Sequence, residues 1–354
     1  MPQTGGGVGI EKAEKITAYV TDTVGRPWCP GESWPPPSNN TNKTEPDASC
    51  AVMVDKANDF LASLNNNQQN DATFGWGSNQ RMYFEFLPPP GGPAGTARQG
   101  IAFRDLNNNQ KTKMEDFIKA ATSAAGWDKI NGIRNLETEL GDPPYRDPDG
   151  YWLSFFGTPS VDSGVEWGFR FEGHHLSFHT SVLDCKTYAP TPAFWGASEY
   201  NNNNNPLKQE GDLAQDLYQS LSNAQKQQAG NNSGGNSAIS AKKRLIDPYP
   251  QNAGISVGDL NQQQKATVRN IILAYVGNMN DDIANKRMQR LETEGLDNLR
   301  FVYNNGSYRV QGSTFVIVYD KQNNSHVHSV WRDYDGDWGE DLLERHMRMM
   351  HSGQ

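Results

Sequence analysis

Two short segments hold the side chains best suited to chemistry. One is Gly173-His174-His175-Leu176-Ser177-Phe178-His179, and the other is His326-Val327-His328-Ser329-Val330-Trp331-Arg332-Asp333. With His346 and His351 they account for all seven histidines of a 354-residue chain. Histidine segregated in this way suits a site assembled from two distant stretches. Neutral imidazole is a common metal ligand, so a divalent ion is the chemistry these residues suggest. Composition around 173–179 favours a strand, which puts His175 and His179 on one face and His174 on the other. Four strand residues span about 13 Å, too far for one ion with bonds of about 2 Å to take both. His326 and His328, at i and i+2, project to the same side about 6.6 Å apart at the backbone and can converge. The expected ligands are therefore His326 and His328 with His174 or His175, leaving an open position for water. The structural alternative is that these histidines are sheet residues bonded to backbone carbonyls.

Charged groups nearby could complete a site. Asp333 or Asp335 could orient a ligand imidazole through its second nitrogen, and Arg332, Arg170 or Tyr308 could hold an anionic substrate. In Asp333-Tyr334-Asp335-Gly336-Asp337 the glycine comes too early for an EF-hand calcium loop. Asp337 with Glu340 reads instead as the capping box of a last helix, in which Leu342, His346 and Met350 share a stripe. His346 then belongs to the core and His351 to an exposed end. Arg146-Asp147-Pro148-Asp149-Gly150 reads as a turn ahead of a strand. Ser177, Cys185 and Ser329 sit in no recognisable nucleophile frame.

The elements that must position these groups are legible in part. Residues 1–45, rich in proline around Pro27 and Pro35, form an irregular arm. Residues 46–95 hold a helix over 48–64 behind an Asp47 cap, a strand over 81–87 and a Pro/Gly loop over 88–95. The helix has Cys50, Met53, Val54, Ala57, Phe60, Leu61 and Leu64 on one face. Beyond it an internal repeat begins: Gly100 to Lys111 matches Gly254 to Lys265 at seven positions without a gap. Asp105 and Asp259 are read as the caps of the helices that follow. Leu136-Glu137-Thr138-Glu139 recurs as Leu291-Glu292-Thr293-Glu294, at an offset of 155 against 154. Trp167 to Gly173 pairs more loosely with Ser307 to Gly312, and Leu176 to Leu183 with Phe315 to Tyr319. The fold class is α+β, with two intimately packed halves, 96–200 and 250–354, around a pseudo-twofold axis. Residues 201–249 join them through a helix carrying Leu213, Leu217 and Leu221 and a flexible loop over 229–240. Each half lacks the histidines of the other, which places the site at their contact.

Composition narrows the function classes. A net charge of −9, with no basic group denser than Lys242-Lys243-Arg244, argues against nucleic acid or an anionic membrane as partner. No apolar run reaches the length of a membrane span and the N-terminus lacks a signal-peptide pattern, so the chain reads as soluble and, by default, cytoplasmic. Cys29, Cys50 and Cys185 have no metal-type spacing, and a Cys29–Cys50 bridge is the pairing considered.

Several motifs together resemble the domain of unknown function 3500 (DUF3500) family. They are Arg98-Gln99-Gly100-Ile101, Arg146-Asp147-Pro148 with Tyr151, Phe156-Gly157-Thr158-Pro159, Trp167 to Ser177, Thr191-Pro192-Ala193-Phe194, Tyr308-Arg309-Val310 and His326 to Asp333 with Asp341-Leu342-Leu343. The resemblance covers roughly 80–354 and implies no settled activity. Similar members often carry asparagine at the position of His179, which makes it the least secure ligand. The expected function is that of a metal-dependent enzyme acting on an anionic small molecule. Zinc with hydrolysis is preferred, iron or copper oxidation is the rival, and a non-enzymatic binding protein with structural histidines is the third reading.

Overall fold

The computed structural model describes residues 45–88, 98–140, 146–334 and 336–339, apart from 202, 233–234, 236, 240–245 and 247. The arm before residue 45, most of the Pro/Gly loop and the last helix with His346 and His351 lie outside the described residues. Helix α1 (Ala48–Ser63) buries Cys50, Met53, Val54, Ala57 and Phe60, the helical stripe expected of it. Asp47 occupies its N-cap position, its carbonyl accepting from Ala51 N, but its side chain makes no bond to the helix. Its carboxylate instead accepts from Tyr188 Oη at 2.8 Å and pairs with Lys286. A second helix, α2 (Asn66–Ala72), leads into β1 (Thr73–Phe74).

The two sequence-matched segments fold alike. One gives β2 (Ile101–Ala102), a 3-10 turn and α3 (Asn108–Ala121). The other gives β8 (Ile255–Ser256), a 3-10 turn and α7 (Gln262–Val276). Their caps are Asn107 and Asn261, not Asp105 and Asp259, which end the turns two residues earlier. Each asparagine forms a reciprocal capping box with Gln110 or Gln264, satisfying two donors at once. Gly100 and Gly254 both have positive φ, and a Cβ on either would strike the carbonyl oxygen of Leu153 or Phe301. The likeness extends upstream of the matched sequence. Gln110 Nε2 donates to Ser63 O at the end of α1, and Gln264 Nε2 donates to Ser220 O at the end of α5 (Lys208–Ser220). Gln68 at the start of α2 donates to Asp105 O, as Gln225 does to Asp259 O from α6 (Asn223–Ala229).

Among the described residues twelve strands form one mixed sheet. The long ones are β3 (Tyr151–Phe156), β4 (Glu166–Gly173), β5 (Leu176–Leu183), β7 (Ala193–Ser198), β9 (Arg300–Asn304), β10 (Ser307–Gln311), β11 (Phe315–Asn323) and β12 (His326–Asp333). Their order is β1-β3-β4-β5-β7-β12-β11-β10-β9-β8, with β2 beside β3 and the short β6 (Thr187–Ala189) beside β5. All pairings but β1 with β3 are antiparallel. At the β7–β12 seam, Trp195 lies opposite Ser329 and Trp331 opposite Ala193. One face carries Phe155, Phe169, Phe178, Trp195, Trp331, Ile317 and Val310 into a core shared with the helices, including α4 (Ala124–Leu140) and α8 (Asp281–Glu294). The other face presents Phe194, Val316, Val318 and Val330 to a smaller core closed by Phe84, Phe86, Ala238 and Tyr249.

Residues 81–87 are not the strand expected of them, because Phe84 and Phe86 pack into that second core. Residues Asn79–Met82 form a 3-10 turn, and the chain then crosses the sheet face with Phe84 and Phe86 pointing inward. Side chains serve much of its backbone: Arg170 Nη1 donates to Gln80 O, Arg98 Nη2 to Leu87 O, and Glu85 Oε1 accepts from the amides of Phe86 and Leu87.

Cys50 pairs with Cys185, not Cys29, joining α1 to the loop between β5 and β6. The bridge closes a separation of 135 residues. Restricting so long a loop in the unfolded chain is worth about 4–5 kcal/mol in the chain-entropy treatment. Cys185→Ala is therefore expected to lower the unfolding free energy by about 3–5 kcal/mol, read by urea denaturation without reductant. Equal stability of variant and native protein would mean that the sulfurs are not bridged in the native fold.

Candidate metal centre

The hairpin between β4 and β5 turns on His174 and His175, so 173–179 is not one continuous strand as its composition suggested. His175 takes a φ of 59°, a left-handed conformation ordinarily left to glycine or asparagine. Its backbone is held on both sides: its amide donates to Phe86 O at 2.9 Å, and its carbonyl accepts from Gly196 N at 2.7 Å. Gly196 also makes room for the ring, since a Cβ there would come within 3.1 Å of His175 Cδ2 and of Val327 O. Across the seam Gly196 pairs with His328 and Ser198 with His326. On β12 the even-numbered His326 and His328 point away from the helix core that takes Val327 and Trp331.

Three imidazoles meet as a result. His326 Nε2 lies 3.2 Å from His175 Nε2 and 3.0 Å from His328 Nε2. A ring nitrogen has one in-plane position, holding either a proton or a lone pair, so His326 Nε2 can make only one of these contacts a proper hydrogen bond. Nitrogens about 2.0–2.1 Å from a common ion stand about 2.9 Å apart at a right angle and about 3.3–3.4 Å at a tetrahedral one. The observed spacing lies in that range. Burial, followed by the neighbouring imidazoles, holds His175 well below the usual imidazole pKa. Burial first, then His326 and His174, brings His328 down to about 4, and burial also lowers His326. All three are thereby kept in the neutral form that offers a lone pair.

His174 stands apart from this trio. Its ring stacks on His175 with centroids 3.9 Å apart, and its Nδ1 lies 2.8 Å from Glu137 Oε1, a buried carboxylate on α4. His175 thus belongs to two groups of possible ligands, His175/His326/His328 and Glu137/His174/His175. The histidines of both groups line a cleft of about 420 Å³ together with Phe86, Leu87, Arg146, Ser198 and Glu199. Arg146 spans Glu137 and Glu199 at 3.6 and 3.3 Å.

The other candidates lie away from the cleft. Arg170 is buried against Glu172 and the carbonyls of Gln80 and Tyr83. Arg332 pairs with Asp337 and donates to Ala238 O. Tyr308 shares a hydroxyl contact of 2.8 Å with Tyr275. Asp333 faces Arg287 and Arg290, both at 3.4 Å, rather than a ligand histidine. Asp337 starts a 3-10 turn and its carboxylate is taken by Arg332 and Asp333 N, so it caps nothing within the described residues. Glu137 and Arg146 were missed as site residues. For Glu137 the signal was a carboxylate on the apolar stripe of Ile130, Ile133 and Leu136, whereas its sequence counterpart Glu292 is exposed. Arg146 lay in what was read as a mere turn, which it also is: Gly150 N donates to Asp147 O.

His179 is buried on β5 between Phe84 and Trp338 and belongs to neither group. Burial, reinforced by Arg170, Arg81 and Arg332, holds its pKa well below the ordinary 6.5. As pH falls below 6.5 the unfolded chain takes up this proton and the folded chain resists it, so stability drops by up to about 1.4 kcal/mol per pH unit. His179→Asn should therefore lose less stability than native protein between pH 7 and pH 5 in urea unfolding, with about 2 kcal/mol as the upper limit of the difference. Parallel losses in the two proteins would show that His179 protonates as easily folded as unfolded.

Among the described residues no helix is long and apolar enough to cross a membrane. No curated protein and no solved structure matches the chain. A family model, described as a protein of unknown function (DUF3500), matches residues 46–340, which include all the residues of both ligand groups. The chain belongs to the DUF3500 family.

Proposed function

We propose that the chain is a metal-dependent enzyme in which His175, His326 and His328 hold a divalent ion at the floor of the cleft. The observation that carries this reading is the shared His326 Nε2, which faces two ring nitrogens at 3.2 and 3.0 Å and can satisfy only one of them without a common ion. Imidazole ligands with an open fourth position suit zinc, ahead of iron or copper. Such an ion supplies a nucleophilic water near neutral pH. Arg146 is the one permanent cation among the described residues lining the cleft, and it fits the carboxylate or phosphate of a small substrate. Phe86 and Leu87 would exclude water. The matching caps, glycines and turns support reading 48–198 and 208–333 as two copies of one unit, each contributing histidines that the other lacks.

The left-handed His175 separates this reading from a structural one. A residue serving only the turn would be better replaced by glycine, because the left-handed conformation costs a side chain about 1–2 kcal/mol. Protein purified without an affinity tag should contain at least one equivalent of metal by elemental analysis. His326→Ala and His328→Ala should each lower that content by about one equivalent. His175→Gly should also lose metal while keeping its metal-free stability within about 1 kcal/mol of native. A colourless zinc form supports hydrolysis and a redox-titratable form supports oxidation. Native protein that neither contains nor takes up metal would defeat the proposal.

Gly196→Ala tests the geometry without touching a ligand. Its methyl would press on the His175 ring, and zinc affinity should fall on the order of 10-fold in a chelator competition, as for other residues that support ligands. Unchanged affinity would mean that the His175 ring does not need its place over Gly196.

A further inference from the structure

The second group of ligand-type residues is not explained by the three-imidazole centre. Glu137 is 1% exposed, yet its Oε2 has no hydrogen-bond partner among the described residues. A buried carboxylate oxygen without a partner is costly and calls for a proton, a donor or a cation. His174 Nδ1 is also unpartnered: it lies 2.8 Å from Glu137 Oε1 but out of line for a hydrogen bond. Close approach with poor alignment is what two ligands of one ion show, because the nitrogen lone pair then points at the ion and not at the neighbouring oxygen. Oxygen and nitrogen about 2.0–2.2 Å from one ion at a right angle stand about 2.9 Å apart. The third member, His175, brings its ligand atom within 4.8 Å of the other two.

We infer that Glu137 and His174, with His175 releasing its ring N–H proton to solvent and bridging through both nitrogens as an imidazolate, form a second divalent-cation position, so that the cleft is a two-metal site. The inference rests on the three-imidazole reading and adds a separate ion to it. One carboxylate with imidazoles is a donor set for a zinc-like ion rather than for calcium or magnesium, which take oxygen ligands. Arg146 Nη1 lies 3.6 Å from Glu137 Oε1, too far for a direct hydrogen bond, which leaves both carboxylate oxygens to the ion. A second ion would add a second Lewis acid for the anionic substrate.

Zinc stoichiometry decides the matter. Untagged protein equilibrated with zinc and freed of loose ion by gel filtration should retain two equivalents per chain, and Glu137→Gln, His174→Asn and His328→Ala should each retain one. Cobalt titrated into metal-free native protein should give two successive changes in its visible spectrum, the second absent from Glu137→Gln. Should Glu137→Gln fail to fold, His174→Asn and the native cobalt titration carry the test. One equivalent in native protein, unchanged in Glu137→Gln or His174→Asn, overturns the second position and leaves the three-imidazole centre standing. No retained zinc overturns both.

Discussion

The pairing of β7 with β12 is the constraint on which the molecule depends. Those two strands are about 130 residues apart in the chain, and their backbone ladder makes one sheet of what would otherwise be two. The register is pinned by side chains that differ between faces: Trp195 and Trp331 lie on the helix side, and Phe194 and Val330 on the other. A slip of one residue would exchange those faces and send His326 and His328 into the helix core. The meeting of His175, His326 and His328 is therefore a consequence of core packing.

Polar contacts complete what the apolar faces begin. Lys129 on α4 and Glu210 on α5 are buried against each other, and Lys129 also donates to Ala274 O on α7, so three helices meet at one charge pair. On the opposite sheet face Arg170 and Arg309 stand on β4 and β10 and reach out to crossing segments, Arg170 to the carbonyls of Gln80 and Tyr83, Arg309 to Asn232 Oδ1 and Gly235 O. Buried guanidinium groups need such partners, and the partners in turn lack a strand to bond. Irregular backbone is thereby held as firmly as a helix would be, and Phe86 is fixed where it stacks on Phe194 and edges onto His328.

Much of this was legible in the chain itself, and the limits have physical causes. Spacing of two residues on a strand gave His326 and His328 their common face, and helical stripes marked α1, α3 and α7. The turn at His174 and His175 was not legible because the left-handed position carries neither glycine nor asparagine, the usual signals. The aromatic run in 81–87 suggests a strand, but side chains such as Arg170 and Glu85 satisfy its backbone in place of a neighbouring strand, through contacts that composition does not encode. Glu137 and Arg146 depend on contacts across 37 and 52 residues, to His174 and Ser198, which no local pattern encodes.

The bridge between Cys50 and Cys185 also bears on where this protein can be made. Both sulfurs are fully buried, so oxidation has to occur while the chain is still open enough for an oxidant or exchange partner to reach them. A thiol-rich, reducing environment would instead leave two packed cysteines and a first helix secured only by its contacts. Forming the bridge requires an oxidising folding environment, and a preparation in a reducing host would need its thiol content checked before its stability is compared with any other.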